Sequence, residues 1–164
     1  MMGAPYFPFF FDIRDWAVLI VGAGNVAARR AAALAEFGAR LTVIAPEGCP
    51  QMEALEQAGQ VRWLRRRIQE TDLDTGDLRL VLAATDDPEL NRALVSWCRR
   101  RKLLSNNCSD RSQCDFYFPG IVRDGDLVIG VTASGEGHGA VKETVREIRR
   151  MMGEGKTSKN RTAD

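Results

Sequence analysis

Short apolar runs alternate with stretches of helical periodicity along most of the chain, and the pattern changes character near residue 116. Val18-Leu19-Ile20-Val21 is apolar throughout, as a strand buried on both faces must be. A helix-forming run rich in Ala and Arg follows at once and closes at Phe37-Gly38. Residues 40–45 read as a second strand, 51–58 as a short helix stopped by Gly59, and 60–64, alternating polar and apolar, as a third strand. Residues 78–84, apolar but for Arg79, read as the next buried strand. Asp86 or Asp87 can cap the helix after it, Pro88 suits its first turn, and Leu90, Ala93, Leu94 and Trp97 give it an apolar face to about Lys102. Residues 103–107 read as a further strand. Such alternation predicts an α/β fold, a Rossmann-like parallel sheet with helices on both faces.

Past a polar loop over 108–115, two β-type runs at 116–122 and 127–132 flank Asp124-Gly125, a strand–turn–strand signal. A lone ribbon of this size is marginal and needs the main domain or a second subunit to pack on. A helix over 140–152 follows, then a polar tail. The expected division is a Rossmann-like domain over 1–112, a hairpin–helix element over 113–152, and a disordered tail over 153–164. The aromatic N-terminus is broken by Pro5, Pro8, Asp12 and Asp15 and has no basic region before it. It reads as an extended lead-in covering the edge of the core, neither a secretion signal nor a membrane span.

Gly22-Ala23-Gly24-Asn25-Val26-Ala27 is a G-x-G-x-x-A segment lying between a strand and a helix. Gly22 permits the tight turn, Gly24 leaves room for a pyrophosphate, and Ala27 lets helix and strand pack closely. Asn25 and Val26 open the helix, where unpaired N–H groups and the positive dipole end favour phosphate. The plain alternative is a tight strand–helix turn that binds nothing. At the end of the second strand, where an acid commonly meets the adenosine ribose, stand Ala45-Pro46, with Glu47 slightly late. Either Glu47 or backbone groups of Ala45 and Pro46 meet that ribose. No Arg ends this strand to greet a 2′-phosphate, so NAD is expected rather than NADP. Thr85 and Asp86, after the residue 78–84 strand, line the opposite wall of the crevice.

Composition narrows the classes. The 164 residues are 45% hydrophobic and 27% charged with a formal net charge of +1, so neither nucleic acid nor a membrane is an expected partner. Cys49, Cys98, Cys108 and Cys114 show no CxxC or zinc spacing and read as reduced thiols of a cytoplasmic protein. With His138 the only histidine, a multi-histidine metal site is excluded and no metal is expected. Arg65-Arg66-Arg67 reads as a solvated edge or as a cationic rim, and Arg99-Arg100-Arg101-Lys102 as the basic end of a helix.

In combination, Tyr6-Phe7-Pro8-Phe9-Phe10, the glycine segment, Ala83-Ala84-Thr85-Asp86-Asp87 with Asn91, and Cys114-Asp115-Phe116 with Phe118-Pro119 resemble the precorrin-2 dehydrogenase family, the N-terminal domain of siroheme synthases. The resemblance covers roughly residues 5–150. It implies NAD-dependent oxidation of precorrin-2, a tetrapyrrole, to sirohydrochlorin, and a homodimer made through the hairpin region. The family's catalytic aspartate falls by register on Ser109, with Asp110 one step later. Either Asp110 is the base or the base and any metal insertion are lost; Asp110 is preferred, since proton removal needs only a carboxylate within reach. Asp115 is expected to anchor the ribbon. Gly137-His138-Gly139 departs from the family's Ser-Pro helix entry, and the polar tail replaces a C-terminal helical region, so the resemblance carries metal insertion less far than oxidation. Arg14, Arg29, Arg111 and Arg123 are candidates to meet substrate carboxylates. The competing readings are a non-catalytic NAD-sensing regulatory module and a degenerate relative that binds tetrapyrrole without turnover.

Overall fold

The strand beginning at Ala17 is apolar on both faces because it lies in the middle of a sheet. In a computed structural model that describes residues 6–134 and 138–159, β1 (Ala17–Val21) pairs in parallel with β2 (Arg40–Ile44) on one side and β4 (Leu78–Ala83) on the other. β3 (Arg62–Leu64) and β5 (Leu104–Asn107) flank them, giving the order β3-β2-β1-β4-β5. This is the expected doubly wound arrangement, with the order reversing between β1 and β4. Ile20, Val43 and Leu82 are wholly buried in it.

The helices connect these strands. α1 (Asn25–Glu36) packs through Ala27, Ala28 and Ala31, all at 0% exposure, so small side chains let it approach closely. α2 (Pro50–Gln57) buries Met52 and Leu55. α3 (Pro88–Arg101) is capped by Asp87, whose carboxylate accepts from the Glu89 and Leu90 N–H groups at 2.9 and 3.1 Å. Such a cap contributes about 1 kcal/mol. The buried stripe of α3 is not quite the expected one. It runs through Asn91, Leu94, Val95 and Cys98, leaving Leu90, Ala93 and Trp97 half-buried. Apolarity alone selects Trp97 and Ala93; the stripe turns towards Asn91 because that amide is fully hydrogen-bonded.

Two compact units are present among the described residues, one of residues 11–117 and one of residues 6–10 with those from 118 onward. The boundary lies past residue 112 because Asp115 and Phe116 are bonded back to β5. The Asp115 carboxylate accepts from the N–H and Oγ of Ser105, both at 2.8 Å, and Asn106 Nδ2 donates to the Phe116 carbonyl at 2.8 Å. Asp115 thus secures the segment before the ribbon to the parallel sheet.

In the second unit β6 (Gly120–Asp124) and β7 (Leu127–Val131) form the antiparallel hairpin, Val122 facing Ile129. α4 (His138–Lys159) packs on it: a Cβ at Gly120 would lie 2.6 Å from Val145 and 3.0 Å from Val141. The helix runs past Met152, where the sequence reading ends it. Its hydrogen-bonded ladder continues through Gly153, and residues 160–164 lie outside those described, as do Gly135, Glu136 and Gly137 of the entry to it. The lead-in groups with this unit, since the Tyr6 N–H donates to Ser134 Oγ at 3.1 Å, while Phe7, Phe9 and Phe10 stand exposed.

One turn limits the whole first unit. Gly22 has φ +106, and a Cβ there would sit 2.3 Å from the Ala84 carbonyl oxygen. Backbone strain and a clash with backbone act together at this position. Gly22→Ala is expected to lower unfolding free energy by about 2–4 kcal/mol, read as an earlier urea midpoint with an unchanged slope.

Candidate functional site

The sheet registers bring four strand ends to one level: Val21 pairs with Ile44 and Ala83, and Ala83 with Asn107. The loops that follow, 22–24, 45–49, 84–87 and 108–115, therefore leave the same carboxyl edge, where ligands of open parallel sheets sit. Backbone bonds stitch these exits together. The Gly22 N–H donates to Ile44 O at 3.0 Å, the Ala84 N–H to Val21 O at 2.8 Å, and the Cys108 N–H to Ala83 O at 2.9 Å.

Gly24 differs from Gly22 in what it provides. Its backbone is ordinary (φ −76, ψ −177), it is exposed, and a Cβ there would meet nothing within 4 Å. The space before it is open, at the point where α1 begins. As the N-cap, Gly24 supplies no side-chain cap, so the first-turn N–H groups of Asn25 and Val26 face outward without an intrahelical acceptor. Asn25 and Val26 are exposed while Ala27 is buried against the sheet. A bent backbone, an open space and outward N–H groups at a helix start fit a pyrophosphate.

The loop after β2 is held from both sides. Ala45 donates its N–H to Leu64 O at 3.2 Å, and its carbonyl accepts from the buried Trp63 indole N–H at 2.9 Å. Pro46 has no N–H to offer. Gly48 passes so close to the Trp63 ring that a Cβ would come within 2.4 Å of it, and the Cys49 N–H donates to Ala23 O at 2.9 Å. Of the alternatives at this strand end, the Ala45 amide groups are already engaged, and Glu47 presents an exposed carboxylate beside them.

After β4, Thr85 is half-buried and Asp86 exposed. Thr85 is gripped by Asn91, which is at 0% exposure and also reaches Ser109. After β5, Asp110 is half-buried and caps the short turn Arg111–Gln113: its Oδ1 accepts from Ser112 N–H at 3.0 Å and Ser112 Oγ at 2.7 Å. The structure brings Gly22, Gly24, Asn25, Val26, Ala45, Pro46, Glu47, Thr85, Asp86 and Asp110 to this one edge.

Charges and thiols surround the Asp110 loop. Burial pushes the Cys108 and Cys114 thiols up from their usual value, and burial holds the Arg30 guanidinium below its own. Arg29 and Arg30 of α1 both act on Cys108, and Arg111, within the loop itself, on Cys114. Arg14 instead pairs with Asp12, its Nε 2.9 Å from Oδ1, and Arg123 lies in the hairpin unit. Cys98, buried among α3 and the sheet, is pushed up to about 12 and stays a neutral thiol. Among the described residues no three His, Cys, Asp or Glu side chains gather as a metal site, and no helix is long and apolar enough to cross a membrane.

Sequence reasoning gave Trp63 no role and used Asn91 only as part of the resemblance. A signal for Asn91 was present: it stands on the same helical stripe as Leu94, Val95 and Cys98, where an amide needs dedicated partners.

A family model described as "Putative NAD(P)-binding" matches residues 9–120. Siroheme synthase 1 of Serratia proteamaculans (strain 568) is 39% identical over 131 residues, 80% of this chain and 27% of that protein. The siroheme synthase of Sodalis glossinidius (strain morsitans) is 40% identical over 130 residues, 79% of this chain and again 27% of the relative. The chain thus spans 27% of the length of these curated relatives. The solved structure of SirC, precorrin-2 dehydrogenase, shares the fold with a TM-score of 0.68 at 24% identity, over 92% of this chain and 71% of that one.

The two glycines are separable by experiment. Gly24→Val should fold normally, because its Cβ meets nothing within 4 Å, yet weaken dinucleotide binding at least about tenfold by filling the phosphate space. Calorimetric titration with NADH beside a thermal melt checks both halves.

Proposed function

This chain belongs to the NAD(P)-binding family, and from that premise we propose that it oxidises precorrin-2 to sirohydrochlorin with NAD+, a step of siroheme synthesis. The observation that carries the reading is the shared edge: the open glycine turn, Thr85 and the Asp110 loop leave the sheet at one level, in a chain 39% identical to a siroheme synthase over most of its length. Bound NAD+ supplies a hydride acceptor.

Everything else falls to the protein. Gly22 and Gly24 shape the pyrophosphate cradle, and the N–H groups of Asn25 and Val26 bind it. Thr85 and Asp86 form the facing wall. At the adenosine end the Glu47 carboxylate accepts from both ribose hydroxyls, with Ala45 and Pro46 fixing the strand end beneath it; a 2′-phosphate would meet that carboxylate as a like charge, which selects NAD over NADP. Loss of a hydride and a proton completes the two-electron oxidation, and Asp110 accepts the proton at its carboxylate. Arg29, close enough to act on Cys108, and Arg111, within the loop, pair with substrate carboxylates. The hairpin and α4 form the face of a homodimer, and the protein acts in the cytoplasm, as the cysteine pattern suggests. Metal insertion is not part of the proposal, because Ser109 stands at the register position of the family's aspartate.

Precorrin-2 and NAD+ supplied anaerobically should yield NADH and sirohydrochlorin in equal amounts; absence of turnover by the wild-type chain would remove the assignment. Asp110→Ala should lower kcat at least about a hundredfold, and an unchanged rate would take Asp110 out of its role. Glu47→Arg should move the ratio of kcat/KM for NAD+ over NADP+ towards NADP+ by about tenfold or more.

A further inference from the structure

Asn91 uses every hydrogen bond its side chain can make. Its Oδ1 accepts from the Thr85 N–H at 3.2 Å and from Thr85 Oγ1 at 2.7 Å. Its Nδ2 donates to the Thr85 carbonyl at 3.0 Å and to Ser109 Oγ at 3.2 Å. A carboxamide has two acceptor sites and two N–H groups, so the group is saturated and its orientation is single-valued. Turned over, its NH2 would face the Thr85 N–H and its oxygen the Thr85 carbonyl. At 0% exposure, on a stripe otherwise made of Leu94, Val95 and Cys98, an apolar residue would serve packing alone.

The bonds continue from there. The Ser109 hydroxyl donates to Asn107 Oδ1 at 2.7 Å, the Ser109 N–H reaches the same oxygen at 3.0 Å, and Asn107 Nδ2 donates to Gln113 Oε1 at 3.2 Å. The Asp110 N–H donates to the Asn107 carbonyl at 3.3 Å. An unbroken line of neutral hydrogen bonds therefore crosses the carboxyl edge, from Thr85 after β4 to the loop that holds Asp110 after β5. Asn91 is the member that spans the two loops.

We propose that Asn91 is a positioning residue: through Ser109 it fixes the Asp110 loop against the Thr85 wall of the dinucleotide crevice, so that occupancy of the crevice steadies that loop. The catalytic part of this rests on the function proposed above; the coupling part does not. Ser109 is a connector in this scheme, its hydroxyl already donating to Asn107 and accepting from Asn91, and it does not take the substrate proton.

Asn91→Leu removes a buried hub and can fail to fold, so exposed Ser109 carries the test. Hydrogen exchange is followed over residues 108–114 in the full chain, with and without saturating NAD+, in wild type, Ser109→Ala and Ser109→Thr. Exchange in this loop should slow on NAD+ addition in wild type and Ser109→Thr, and not in Ser109→Ala. With precorrin-2, Ser109→Ala should lose about fivefold in kcat at unchanged KM for NAD+, and Ser109→Thr should restore it to within about twofold, the scale of one neutral hydrogen bond. A purely structural hydroxyl would shift melting temperature without touching the response to NAD+. The inference is overturned if Ser109→Ala keeps the NAD+-induced slowing, if the Ala and Thr variants behave alike, or if wild type shows no slowing. Slowing in wild type without precorrin-2 turnover would sink the proposed reaction and leave the coupling standing.

Discussion

The contact between the Gly22 backbone and the Ala84 carbonyl governs this molecule. The turn that leaves β1 and the chain that leaves β4 occupy adjoining van der Waals space, with only 2.3 Å between a would-be Cβ and the oxygen. Because β1 and β4 are the two strands at which the sheet order reverses, this contact sets the floor of the crevice. It also brings Thr85 to the glycine turn, since the Ala84 N–H is bonded to Val21 O. Close packing of α1 through three alanines then holds the helix start where a phosphate can meet it. A side chain at position 22 would push these exits apart, and every loop of the carboxyl edge would follow.

Charge plays a different part from backbone packing. Several arginines of the first unit are committed at the surface. Arg65 pairs with Glu56 and stacks on Trp63, Arg66 pairs with Asp72, and Arg100 and Arg101 share Glu70. These exposed bridges are screened by water and weigh little beside the cost of disturbing the Gly22 turn. They also decide between the two sequence readings of residues 65–67: Arg65 and Arg66 are paired edge residues, which leaves the solvated-edge reading in place. Arg29, Arg30 and Arg111 are distinguished by where they lie, around the Asp110 loop. An anionic substrate approaching that edge meets local positive charge although the chain as a whole carries only +1.

The periodic parts of the sequence were the readable parts. Uninterrupted apolarity at residues 18–21 and 80–83 marks strands covered on both faces, and the glycine spacing between strand and helix locates the turn. What escaped reading depends on partners distant in sequence. Asn91 looks polar until Thr85 and Ser109 are seen to saturate it, and so the buried stripe of α3 turned away from Trp97 and Ala93. The Ala45 carbonyl looked available to a ribose until Trp63, on the neighbouring strand, was found bonded to it. Asp115, expected to anchor the ribbon, does so through a partner that the sequence does not single out, Ser105 of the parallel sheet. In each case a side-chain hydrogen bond, which carries no periodicity, decided the outcome.

That dependence bears on how the Asp110 loop can work. A carboxylate that is to accept a proton must be held in place without being neutralised, because an arginine bonded directly to it would favour the ionised form and weaken it as a base. The donors on Asp110 Oδ1 are the N–H and hydroxyl of Ser112, both neutral, and the loop is anchored through Asn107, Ser109 and Asn91, neutral as well. Neutral amides and hydroxyls fix geometry with far less effect on a neighbouring charge than an ion pair has. In the proposed reaction the guanidinium groups at the loop are then left to pair with carboxylates of an anionic substrate. On this view Ser109 suits its place because it is uncharged: a second carboxylate beside Asp110 would compete with it for the same proton and break the division between groups that position and groups that react.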